Sequence, residues 1–236
     1  MNKQLLIGLI VASSFALSAC GAKKTTTTIS PTPATKMIEM QAKDRPYISL
    51  IPRADGHELK LKIDNIPSSI TQIEYEMLYS AKDNNLEIEK GVGDTIKVDN
   101  RNLFRDLLLG TASCTNGCKY KYDEGIDSGT LSLTFINNKG ESTVFETPFA
   151  LKSAADFKKD GQIALPIENV IIKSSPAGKD FYILMKNFGL PQGVTEAKAA
   201  YSLFSSGTST AKVISTTPEA LIKNDKTTFV GDYILK

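Results

Sequence analysis

The sequence predicts an all-β protein: two tandem antiparallel β-sandwich modules, the second shorter, with one short helix in the first. Three observations lead there. Apolar and polar residues alternate at period two along several short runs, the pattern of strands with one wet face. Turn residues punctuate these runs, and no long amphipathic helix pattern intervenes. A succession of strand-like blocks in the first half recurs in the same order in the second, as two copies of one β unit would.

The first module is expected over residues 46–152. In Leu59-Lys60-Leu61-Lys62-Ile63-Asp64 apolar side chains alternate with charged ones, and Asn65-Ile66-Pro67-Ser68-Ser69 ends the run. Ile73 to Ser80 follows, with Tyr75, Met77 and Tyr79 on one side. Leu86-Glu87-Ile88 and Thr95-Ile96-Lys97-Val98 read as shorter strands separated by Gly91 and Gly93. The helix is expected after Asn100, a good N-cap. Leu103/Leu107 and Phe104/Leu108 are i, i+4 pairs, and Gly110 stands where a C-cap belongs. Lys119 to Tyr122 and Thr130 to Ile136 alternate again, Asn137-Asn138-Lys139-Gly140 turns the chain, and Thr143 to Leu151 closes a hairpin. Residues 153–166 form a polar connector with a helical turn near Asp156.

The second module is expected over residues 167–236. Gly56-His57-Glu58-Leu59-Lys60-Leu61-Lys62-Ile63-Asp64-Asn65 is echoed by Gly178-Lys179-Asp180-Phe181-Tyr182-Ile183-Leu184-Met185-Lys186-Asn187. Ile66-Pro67 to Thr71 is echoed by Leu190-Pro191 to Thr195, Tyr75 to Leu78 by Tyr201 to Phe204, and Thr143 to Lys152 by Thr227 to Lys236. The alignment expects Leu59, Leu61 and Ile63 in one core and Phe181, Ile183 and Met185 in another. It sets apolar Tyr182 and Leu184 against wet Lys60 and Lys62. Both faces of the second module should then be covered, by the first module or by a partner, which makes Tyr182 and Leu184 a candidate interaction face. These blocks, with a tyrosine in the third strand, resemble fibronectin-III and immunoglobulin-like domains. The core tryptophan usual there is missing, since the chain has no Trp.

The N-terminus is of another kind. Met1 to Gln4 carries Lys3, and Leu5 to Leu17 is almost unbroken apolar or small residues, too short for a membrane span. Residues 1–19 read as an export signal that is removed. Leu17-Ser18-Ala19-Cys20 resembles the lipobox of bacterial lipoproteins. The resemblance implies cleavage before Cys20, thioether lipidation of its sulfur and fatty (palmitate-type) acylation of the new amine. Several chains, at about 0.8 kcal/mol per buried methylene, make such an anchor effectively permanent. Gly21, in place of the Asp that retains well-studied diderm lipoproteins at the inner membrane, implies the outer membrane or, in a monoderm, the outer face of the cytoplasmic membrane. Residues 20–45 join the lipidated Cys to the first module through a Thr/Pro-rich tether with Thr25 to Thr28, Pro31 and Pro33. A flexible tether of that kind reaches about 27 Å.

The chain has 236 residues, 41% of them hydrophobic and 23% charged, ordinary for a globular protein. Its formal net charge of +2 gives no electrostatic reason to propose nucleic acid as a partner. Of three cysteines, lipid would consume Cys20, which leaves Cys114 and Cys118 for a disulfide in an oxidising compartment. Asn116-Gly117 between them can turn tightly, and the small ring is worth about 2 kcal/mol. A redox dithiol usually has two intervening residues and a helix start, so this pair reads as a staple.

Motifs for catalysis are not found. The single histidine, His57, precedes a strand without a recognisable nucleophile elbow and reads as a surface turn residue. One histidine and two bridged cysteines make no zinc set, so no metal site is expected. Gly91-Val92-Gly93-Asp94-Thr95-Ile96 begins like a dinucleotide loop but has Ile96 at the third glycine, and no cofactor is expected. Asp123-Glu124-Gly125-Ile126-Asp127 is the densest acidic group, without the full calcium-loop pattern. The expectation is a non-enzymatic envelope protein, held to a membrane by its lipid and facing the periplasm or the exterior. It would bind an envelope protein or surface ligand, in adhesion or envelope assembly. The alternatives are an exported hydrolase with acids on its loops and the solute-binding component of a transporter.

Overall fold

The computed structural model describes residues 36–236 apart from residue 85, residues 209–210 and residues 225–228. The signal segment, Cys20 and most of the tether lie outside the described residues, as do Thr227 and Thr228 of the repeat.

The first half of the chain forms β1 (Tyr47–Pro52), β2 (Glu58–Asp64), β3 (Ile70–Asp83), β4 (Leu86–Lys97), β5 (Leu103–Leu108), β6 (Gly110–Cys114), β7 (Cys118–Tyr122), β8 (Ser128–Asn137) and β9 (Ser142–Ser153). Helix α1 (Ala154–Asp160) follows, then β10 (Gln162–Leu165), β11 (Val170–Lys173), β12 (Phe181–Lys186) and β13 (Ala199–Ser205). The chain ends with β14 (Ser215–Thr217), β15 (Leu221–Lys223) and β16 (Gly231–Leu235). The fold is all-β and layered as a sandwich.

One sheet runs in the order β15-β16-β13-β12-β9-β8-β3-β4, with antiparallel pairings throughout. Near one end, its first face packs on the three-stranded sheet β1-β2-β5; near the other, its second face packs on α1 and the sheet β10-β11-β14. The first core joins Ile48, Leu59, Leu61 and Ile63 to Tyr75, Met77, Leu133, Phe149, Ile183 and Met185. The second joins Phe157, Ile163, Ile172 and Phe229 to Tyr182, Leu184, Tyr201 and Leu203.

Strand β12 is the hinge of this arrangement. Its unbroken apolar run Phe181-Tyr182-Ile183-Leu184-Met185 suits a strand buried on both faces, and Tyr182 to Met185 are fully buried. Alternation sends Ile183 and Met185 into the first core and Tyr182 and Leu184 into the second. The expectation of separate cores for the two repeats is thereby corrected: Ile183 and Met185 share a core with Leu59, Leu61 and Ile63. The halves expected as modules 46–152 and 167–236 meet edge to edge in one sheet, where β9 pairs with β12. Partner choice differs too. The first-half strand β2 pairs with β1 and β5, not β3, whereas its echo β12 pairs directly with β13. Tyr182 and Leu184 do not form an open interaction face. Residues of the same chain cover them, with Phe157 and Phe229 packed on the Tyr182 ring.

Two further expectations are corrected. The helix expected after Asn100 is the strand β5, paired with β2 from Glu58↔Leu108 to Ile63↔Leu103. A helix of that length is marginal in water, while the open edge of β2 offers a ladder and a core for Leu107 and Leu109. Gly91 and Gly93 do not divide two strands; β4 runs through both, in continuous register with β3 from Gln72↔Lys97 to Asp83↔Leu86. The helical turn near Asp156 is α1, capped by Ser153, whose Oγ accepts from the Asp156 amide at 3.1 Å, and ended by Gly161 at φ 68°.

Candidate functional site

An exposed aromatic arm is the feature best placed to meet another molecule. Among the described residues, strands β6 and β7 pair only with each other, from Gly110↔Tyr122 to Cys114↔Cys118, and every residue of β7 is exposed. Thr115-Asn116-Gly117 turns the tip, with Gly117 at φ 92°. The sulfurs of Cys114 and Cys118 lie at disulfide distance, so the staple expected from the sequence closes the end of this hairpin. Period two in Cys118-Lys119-Tyr120-Lys121-Tyr122 puts both tyrosines on one face and both lysines on the other. At the root, a Cβ on Gly110 would come 2.3 Å from the Lys121 carbonyl oxygen, so a side chain there would push the strands apart.

The arm leans on the turn before β2. The His57 ring stacks on Tyr122 with centroids 4.0 Å apart and planes 8° from parallel; Tyr120 continues the row at 6.0 Å and 6°. Tyr120 is 53% exposed and Tyr122 37%. His57 is held by its own turn: the Asp55 carboxylate accepts from Arg53 Nε at 2.8 Å and from the His57 amide at 3.1 Å. Arg53 also pairs with Glu58. The hydrogen bond from Arg53 holds the Asp55 carboxyl well below its ordinary range, at about 2.

The base of the arm is fixed from three sides. The Leu109 amide donates to the His57 carbonyl at 2.9 Å, and the Asp123 amide to the Leu109 carbonyl at 3.0 Å. The Asp123 carboxylate accepts from Tyr79 Oη at 2.9 Å and lies 3.6 Å from Lys90 Nζ. Burial, with Asp123 beside it, raises the Tyr79 phenol above its ordinary pKa. Asp123 of the acidic group thus anchors the arm. Among the described residues, no three His, Cys, Asp or Glu side chains converge as a metal-binding set.

The sequence alone marks His57 as a turn residue and the cysteines as a staple, but does not unite them with Tyr120 and Tyr122. The available signal was Tyr-x-Tyr at period two directly after Cys118. A polar cluster between the layers is likewise not legible in the sequence. Asn187 Nδ2 donates to Ser202 Oγ at 3.0 Å, and Ser202 Oγ donates to Asp232 Oδ1 at 2.7 Å. Tyr47 Oη donates to the same Asp232 oxygen at 2.6 Å. Ser202 is fully buried, and this cluster ties β1 to β13 and β16. Cys20 lies outside the described residues.

Fold and arm together define an all-β scaffold that presents a stapled row of aromatic rings. No family model matches the chain, and no curated protein matches it in sequence.

Proposed function

We propose that this chain is an exported, lipid-anchored envelope protein that acts by binding, and that the aromatic arm is its contact surface. The single observation that carries the binding surface is the row of parallel rings in which exposed Tyr120 and Tyr122, on a hairpin stapled at its tip and anchored at its root, continue from the half-buried His57. Tyrosine supplies apolar area with few rotatable bonds, so a rigid row presents it at low entropic cost. Such a row suits the flat face of a sugar ring or an aromatic side chain on the envelope surface. The anchor rests on the lipobox-like Leu17-Ser18-Ala19-Cys20, and the tether would carry the scaffold clear of lipid headgroups.

Co-sedimentation with isolated envelope fragments, with Cys20→Ser as the common background so that no lipid holds the chain in the pellet, tests the surface. Replacing Tyr120 and Tyr122 together by Ala should weaken retention about tenfold, since aromatic contacts contribute roughly 0.5–1.5 kcal/mol each. Unchanged retention would remove the arm from the proposal. The anchor is tested separately: Cys20→Ser should leave the chain uncleaved or soluble. If variant and parent stay equally membrane-bound after a high-salt wash, the anchor lies elsewhere.

A further inference from the structure

The outer edge of β4 ends the eight-stranded sheet, and among the described residues no strand pairs with it. At 12 residues it is four times the length of β15, the 3-residue strand at the opposite edge. A long open edge is a template for another strand. Two of the common safeguards are missing here: β4 contains no proline, and its register with β3 shows no bulge.

The charges on this edge do not repel a second copy of the same edge; they match it. We propose that two copies of the chain associate through β4, antiparallel, with Val92 opposite Val92 on a two-fold axis. Gly91 then faces Gly93, Lys90 faces Asp94, Glu89 faces Thr95, Ile88 faces Ile96, Glu87 faces Lys97, and Leu86 faces Val98. Symmetry makes each of these pairs twice, so Lys90–Asp94 and Glu87–Lys97 give four opposite-charge pairs and no like-charge pair. Directly opposed side chains of this kind are the unit of sheet stabilisation.

Other registers lose the match. Centring on Gly91 sets Ile88 against Asp94 and Lys90 against Val92. Centring on Lys90 sets two lysines against each other, and centring on Gly93 sets Val92 against Asp94 and Glu87 against Asp99. The faces agree as well. Ile88 and Val92 are partly buried against the first core, and Ile96 is buried within it. Pairing Ile88 with Ile96 and Val92 with itself extends that core across the axis. Leu86, 69% exposed, gains Val98 as a neighbour. Lys90, already 3.6 Å from Asp123, lies between that carboxylate and Asp94 of the second copy.

The test is the mass of the full chain in detergent solution, by sedimentation or light scattering. The parent should be a dimer. Glu87→Lys or Lys97→Glu alone should weaken association at least tenfold, with an unchanged circular dichroism spectrum because both side chains are exposed. Glu87→Lys combined with Lys97→Glu should restore the dimer. Val92→Cys should form a covalent dimer on mild oxidation beyond that of the parent. A monomeric parent overturns the proposal, as does a dimer insensitive to the single reversals or one that the double reversal fails to restore.

Discussion

The side chain of Asn187 pairs with the backbone of Ile48 as a neighbouring strand would: the Ile48 amide donates to Oδ1 at 3.0 Å, and Nδ2 donates to the Ile48 carbonyl at 2.7 Å. This amide clamp fastens β1 to the end of β12, across the first core. Asn187→Leu should destabilise the fold by about 3 kcal/mol, because it leaves two buried backbone groups and the Ser202 hydroxyl short of partners. Denaturant unfolding measures it. A loss below about 1 kcal/mol, the typical net value of one hydrogen bond, would mean that the clamp is replaceable by solvent.

Leu184 and Lys60 stand at outward positions of the two aligned runs, where Leu184 answers to Lys62 and Tyr182 to Lys60, and their surroundings are opposite. Leu184 is fully buried in the second core, whereas Lys60 is exposed, 3.6 Å from Asp106. Leu184→Asp should cost at least about 4 kcal/mol through a buried unpaired charge. Lys60→Asp should cost under about 1 kcal/mol, the range for an exposed ion pair. Thermal melts of the two variants should differ widely; similar melting temperatures would contradict the burial pattern.

Tyr182 sends its hydroxyl into the second core, where it has no hydrogen-bond partner among the described residues. Its ring packs against Phe157 at 5.5 Å and Phe229 at 5.3 Å, so the ring is what the core uses. Tyr182→Phe should leave stability unchanged or raise it by about 1 kcal/mol, since it removes the cost of an unsatisfied polar atom. A clear fall in melting temperature would reveal a bond made by that hydroxyl.

Alkaline pH should unfold the chain by way of its phenols. Burial, with the charge and hydrogen bond of Glu168, pushes Tyr201 up to about 12, and burial raises Tyr47, Tyr79 and Tyr233 as well. In the unfolded chain these groups ionise near the ordinary value of about 10. Folded pKa values above unfolded ones mean that their contribution is whole below about pH 10 and is lost as pH rises through the folded values. Melting temperature should therefore fall above about pH 10, and native phenolate absorbance should lag behind that of the denatured chain. Ionisation of all 8 tyrosines near the ordinary value in the native protein would refute this.

Which segments are strands was legible in the sequence wherever one face of the strand is wet. In β2, Lys60 and Lys62 mark the outward positions, and in β3 Glu74 and Glu76 do the same. Alternation follows from a pleat with two different environments, and it needs no knowledge of the partner. The staple was legible for a related reason. Cys114 and Cys118 are neighbours in the chain, joined by an Asn-Gly turn. The helix reading failed at β5 because spacing by four satisfies both periods: Leu103 and Leu107 share a face in a helix and also in a strand. The open edge of β2 decided between them.

By itself, then, the sequence determined the all-β class, most of the strands and the staple, all of which are local patterns. Only the tertiary structure decided which strands pair. The similar runs of β2 and β12 say that each is a strand but not that one lies in a three-stranded layer and the other inside the long sheet. It also decided the aromatic arm. His57 and Tyr122 are far apart in the chain, and their stacking follows from β5 pairing with β2 and delivering the hairpin beside the turn that holds His57. Sheet partnership and ring stacking are relations between distant residues, and local periodicity carries no term for them.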